Sequence, residues 1–108
     1  MNSDRFGLPP AAVEMIRGVL AAHAHVEQAV IYGSRAMGNY KNGSDIDLTL
    51  HGKGLLNEEL LAIMSELDDL LLPYMIDLSL FRSIDHPGLR DHIQRVGLEF
   101  YRRPNVGR

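Results

Sequence analysis

Gly33-Ser34-Arg35-Ala36-Met37-Gly38 and, with ten residues between Ser34 and Asp45, Asp45-Ile46-Asp47-Leu48-Thr49-Leu50 decide how the rest of this chain is read. The second stretch alternates polar and apolar residues with period two. Asp45, Asp47 and Thr49 share one face of a strand; Ile46, Leu48 and Leu50 share the other. Same-face neighbours on a strand have Cα atoms roughly 6.5–7 Å apart. Two carboxylates are therefore aimed at one region of space, where they repel each other unless a cation lies between them. Oxygen donors with open positions suit Mg²⁺, which retains water and takes substrate phosphates as further ligands.

The first stretch follows Ala29-Val30-Ile31-Tyr32, a β-branched and aromatic run that reads as a strand and stops at Gly33. Ser34 to Met37 fits one helical turn, with Ser34 as its cap. Glycine lets a backbone approach a phosphate closely, and a helix start directs N–H groups toward an anion. Asn39 to Ser44 is loop chemistry throughout.

Outward from this centre the chain reads as one small mixed domain. Pro9 and Pro10 open a first helix, with Val13, Ile16 and Leu20 at helical spacing as far as about Ala24. After Gly52 and Gly54, Asn57 caps a helix whose first turn holds Glu58 and Glu59. Leu60, Ile63, Met64, Leu67 and Leu71 form its apolar stripe, and Pro73 ends it. Met75 to Leu80 alternates again, with Asp77 and Ser79 on one face. His86-Pro87-Gly88 leads into a last helix bearing Leu89, Ile93 and Val96, ended by Gly97. Glu99 to Tyr101 adds a short edge strand. The expected domain is 1–108, with an ordered core of about 9–102 and a loose tail over 103–108.

Asp77 lies on the face that corresponds to Asp45 and Asp47. On a neighbouring strand it supplies a third carboxylate, and three carboxylates suit one or two ions clamping an in-line phosphoryl displacement. The candidate catalytic and metal-binding set is thus Asp45, Asp47 and Asp77. Gly33, Ser34, Arg35 and Ser44 are the candidate nucleotide contacts. Each motif alone is common in structural turns and solvated strand edges, and Asp77 has Arg82 as an alternative partner. Their conjunction is what points to a phosphate-plus-metal site. The histidines carry less: His23 and His25 suit a helix C-terminus, His86 and His92 match no ligand spacing, and His51 follows the carboxylate strand.

Composition narrows the alternatives. Eleven Lys and Arg against fourteen Asp and Glu leave a net charge of −3, so no global positive field favours duplex nucleic acid. With no cysteine, disulfide frameworks, thiolate zinc sites and a Cys nucleophile are excluded. The longest apolar run, Leu60 to Met64, is about five residues, where a membrane span needs roughly 20. A cytoplasmic protein without membrane attachment is expected.

These residues resemble the minimal nucleotidyltransferase (MNT) family of the DNA polymerase beta-like nucleotidyltransferase superfamily. Its signature is Gly-Ser, ten residues, Asp-x-Asp and a third Asp on a later strand. Here it is carried by Gly33-Ser34, Asp45-Ile46-Asp47 and Ile76-Asp77-Leu78, and the likeness runs from about Val13 to Tyr101. The resemblance implies an α/β (α+β) nucleotidyltransferase fold, a small mixed sheet packed with about four helices. It implies Mg²⁺ on Asp45 and Asp47 with Asp77 beside them, ATP as co-substrate, and triphosphate contacts from Gly33 and Ser34. Many relatives carry Arg where this chain has Met37. Many minimal members resemble antitoxins that adenylylate a tyrosine on a partner HEPN ribonuclease toxin. A non-catalytic antitoxin that acts by binding, or transfer to a small-molecule hydroxyl, are the alternatives.

Overall fold

The computed structural model describes residues 6–104. Helix α1 (Pro10–Ala21) starts on proline and buries Val13, Ile16 and Leu20. Strand β1 (Gln28–Tyr32) runs into helix α2 (Ser34–Met37), and a loop leads to strand β2 (Ile46–His51). Helix α3 (Asn57–Asp68) precedes strand β3 (Ile76–Leu80) and a 3-10 turn at Phe81–Ser83. Helix α4 (Pro87–Val96) and strand β4 (Leu98–Arg102) complete the chain.

The sheet is mixed and has four strands in the order β3-β2-β1-β4. β1 pairs antiparallel with β2 and β4, whereas β2 and β3 run parallel. A parallel pair needs a crossover, and α3 supplies it. Period-two alternation then sorts the sheet into two faces. Ala29, Ile31, Leu48, Leu50, Leu78 and Leu80 join Ile16, Leu20, Ile63 and Leu67 in one continuous core under α1 and α3. The opposite face carries the polar residues, and α4 packs over its β1 side, where Gly97 meets Val30.

β4 is the edge strand expected, two residues longer than the sequence suggests. The register slips between Ala29 and Val30, so Phe100 is an extra residue on β4. This bulge turns the Phe100 ring into the core against Phe6, with ring centroids 5.4 Å apart. The Phe100 carbonyl accepts a hydrogen bond from Arg17 Nε at 2.8 Å.

Several local expectations change. Gly33, not Ser34, is the cap residue of α2, and Leu56 rather than Asn57 precedes α3. Leu71 leaves the helical stripe: α3 ends at Asp68, and Leu71 is 87% exposed with φ of 56°. Pro73 disfavours helical geometry at Leu72, so the winding stops short of it. At the two ends, Leu8 is fully buried and Arg103 is anchored. Arg103 donates to the carbonyls of Ala21, His23 and Val26, placing a cation at the C-terminal end of α1, whose own last turn has none. The rest of the expected tail, 105–108, lies outside the described residues.

Candidate active site

β1 ends where the chain must reverse, and Gly33 makes that turn. Its φ of 74° and ψ of −154° lie in a region essentially closed to side-chain-bearing residues. A Cβ at Gly33 would also stand 2.5 Å from Asp47 Oδ2. Glycine is thus required twice, by the backbone and by the carboxylate lying against it. The Gly33 carbonyl accepts the Ala36 and Met37 N–H groups and closes α2.

Register sets the carboxylates. Asp47 stands opposite Tyr32 on β1 and opposite Asp77 on β3, so Tyr32, Asp47 and Asp77 form a row across three strands. Neighbouring strands are about 4.8 Å apart, which brings the two aspartates side by side. Asp45 is exposed and sits one residue before β2, a residue later than the expected strand start. The Ile46 N–H bonds the Met75 carbonyl at 2.8 Å and holds this entry to the start of β3.

The row is electrostatically tense. Burial raises the Asp47 pKa above its ordinary value, and the charges of Asp77 and then Asp45 raise it further, while His92 opposes them. Burial likewise raises the Tyr32 pKa, against a hydrogen bond with Ser79, and Asp47 and Asp77 add to the rise. A cation among these carboxylates would relieve that repulsion, and the donor set is the all-oxygen kind that Mg²⁺ takes. Among the described residues no three His, Asp or Glu side chains close into a metal cage. The set suits an open site completed by phosphate and water oxygens.

Four further side chains, Tyr32, Thr49, Ser79 and His92, line this face. Tyr32 is buried beside the aspartates. Ser79 donates to Thr49 Oγ1 at 3.0 Å and links Tyr32 to β2. The period-two pattern already placed Thr49 and Ser79 on the carboxylate face. His92 reaches over from α4 with its ring edge-on to Tyr32, centroids 6.2 Å apart. No spacing in the sequence signals His92, because α4 docks through long-range packing.

Other candidates lie elsewhere. The structure does not offer Arg35 to a phosphate. It is 3% exposed and donates from Nε to the Ser44 carbonyl and from Nη1 to those of Phe6 and Gly7. Ser44 Oγ is taken up by the Lys41 N–H at 2.8 Å, inside its own loop. Arg82 bonds the Gly52 and Leu55 carbonyls instead of pairing with Asp77. His51 packs on Phe81 at the far end of β2, where burial and then Arg90 lower its pKa. His86 caps α4 by accepting the Leu89 N–H, and His23 and His25 both bond Glu59 of α3. Met37 is half exposed next to Gly38. A concavity of about 500 Å³ lines β4 between Arg17 and Arg102, away from the carboxylates, which lie on an open face.

Residues 14–105 match the family model described as polymerase beta, nucleotidyltransferase. No curated protein sequence matches the chain. Solved structures share its fold. A toxin–antitoxin crystal structure with AMP-PNP aligns with a TM-score of 0.68 and 20% identity, over 85% of this chain and 74% of the other. A toxin–antitoxin pair in which two aspartates are changed to glutamate gives 0.65 and 17%, over 85% and 74%. The MntA-HepT toxin–antitoxin structure gives 0.62 and 18%, over 84% and 70%.

Proposed function

The chain belongs to the polymerase beta nucleotidyltransferase family, and from that premise we propose that it is an Mg²⁺-dependent adenylyltransferase acting as an antitoxin. The acceptor is a hydroxyl, tyrosine first, on a partner HEPN ribonuclease toxin. The observation that carries this reading is the Asp47 carboxylate packed on Gly33 and beside Asp77. One contact unites the glycine-serine turn with the acidic row. The toxin–antitoxin neighbours, one of them with AMP-PNP, support the choice of nucleotide and partner.

Asp45 and Asp47 would hold one or two Mg²⁺ ions, with Asp77 alongside. When bound, Mg²⁺ supplies positive charge that neutralises the triphosphate and the charge developing on the transferred phosphate. The remaining work falls to the chain. N–H groups at the Gly33-Ser34 turn and the Ser34 hydroxyl hold the triphosphate. Asp77 accepts the proton of the acceptor hydroxyl as its oxygen bonds the α-phosphorus. The bond from that phosphorus to pyrophosphate breaks, and pyrophosphate leaves with its electron pair. The open face leaves the acceptor side to be walled by the partner.

ATP labelled at the α- or the γ-phosphate tests this reading. Label should pass to the partner from the α position only, and Asp47→Ala should abolish transfer while circular dichroism shows an intact fold. Transfer from the γ position, or wild-type transfer in Asp47→Ala, would overturn it. A second reading rests on Met37, an apolar side chain where many relatives carry Arg: an antitoxin that neutralises by binding alone. Full neutralisation by Asp47→Ala without any label transfer would select it.

A further inference from the structure

Arg35 follows the glycine-serine turn directly, yet its guanidinium points into the protein. Nε bonds the Ser44 carbonyl at 3.0 Å; Nη1 bonds the Phe6 carbonyl at 3.0 Å and the Gly7 carbonyl at 3.2 Å. Two rings flank the group, Tyr40 at 5.3 Å and Tyr74 at 5.1 Å from its central carbon. Its partners are thus carbonyls and aromatic faces, not carboxylates. A buried cation held this way is fully committed, since removing any one segment would leave a desolvated charge.

The segments it joins are those that carry the site. Ser44 immediately precedes Asp45. Tyr40 belongs to the same loop, Tyr74 leads into the strand of Asp77, and Arg35 itself extends the turn of Gly33 and Ser34. The fourth segment, Phe6-Gly7, is remote in sequence. Gly7 has φ of 71°, and a Cβ there would stand 2.2 Å from the Tyr40 ring. Glycine lets the N-terminal strand of chain close over that ring and offer its carbonyls to Arg35.

We propose that Arg35 is a positioning residue for Asp45: through Ser44 it fixes where the chain enters β2, and the Phe6-Gly7 segment fixes Arg35. The proposal rests on the metal role of Asp45 given above. A flexible loop would leave Asp45, exposed and outside the strand, free to swing. Three bonds from one planar, forked group remove that freedom, and a lysine cannot reproduce them.

The test is Mn²⁺ affinity, read by electron paramagnetic resonance of the free ion, in wild type, Arg35→Lys, Asp45→Asn and the double variant. Outer partners of metal ligands typically contribute 10–100-fold in affinity. Arg35→Lys should weaken binding about tenfold. In the Asp45→Asn background the same change should alter affinity less than about twofold, because the residue it positions is gone. An unchanged affinity in Arg35→Lys, or the same loss in both backgrounds, would overturn the proposal. Gly7→Ala disturbs the clamp without touching Arg35 and should weaken binding in the same direction if Arg35→Lys does not fold. Amide hydrogen exchange at Lys41 and Ser44, measured without any ion, should quicken in either variant; unchanged exchange would also contradict the proposal. A wild-type chain that binds no Mn²⁺ would count against the proposed function, and the exchange result would then decide the role of Arg35 alone.

Discussion

Asp47 is the most constrained side chain of the site. It lies on Gly33, faces Asp77 across a parallel register and has Tyr32 on its other side. Burial and two like charges raise its pKa above the ordinary 3.8. A raised carboxyl pKa stabilises the fold only where the group is protonated, and that contribution is lost as pH rises through the raised value. Above that raised value the ionised Asp47 therefore costs stability when no cation is bound. Asp47→Asn should raise the ion-free Tm by about 1–4 °C while abolishing transfer. A lowered Tm would mean that the carboxylate is a structural acceptor. That Asp47 and Asp77 share a face was legible because strand alternation fixes which side chains point the same way. The direction of Arg35 was not, since it depends on Phe6 and Gly7, 28 or more positions away.

At the scale of the elements, all four strands and four helices were readable from periodicity, β-branched composition and turn residues together, and several of their ends were not. Leu71 is the clearest case. It fits the 3.6-residue stripe, yet Pro73 stops the helix and leaves Leu71 left-handed and exposed. Leu71→Gly should stabilise the protein by about 0.5–1 kcal/mol, checked by urea unfolding, because glycine adopts that conformation without the Cβ cost. Contacts between elements were equally hidden. His23 and His25 follow α1 and look like dipole partners, but both reach α3. His23 contacts Glu59 at 3.3 Å and Glu66 at 3.0 Å, and His25 contacts Glu59 at 2.9 Å. The His25 bond, with help from His23, lowers the Glu59 pKa below its ordinary 4.5. A lowered carboxyl pKa stabilises the fold above the ordinary value, and the contribution is lost as pH falls through the lowered one. Wild type should therefore exceed Glu59→Gln in stability above the ordinary value of 4.5, with the gap closing as pH falls through the lowered one. A gap that persists at low pH would show that packing, not charge, joins α1 to α3.

At the scale of the molecule, the sheet divides the labour. One face carries the core under α1 and α3. The other carries a row of oxygen donors, only partly covered by α4. No helix among the described residues is long and apolar enough to cross a membrane. The carboxylate face is open, with Asp45 and Asp77 exposed, and on the proposed function the partner protein supplies the acceptor there. Sequence alone could name the acidic row but not its openness, because openness depends on where α4 docks. The most direct measurement is intact-mass spectrometry of the partner toxin after incubation with this protein, ATP and Mg²⁺. The account predicts a gain of AMP mass units on the partner, mapped to a tyrosine and lost with Asp45→Ala or Asp47→Ala. A stable, neutralised complex whose partner mass never changes would contradict it.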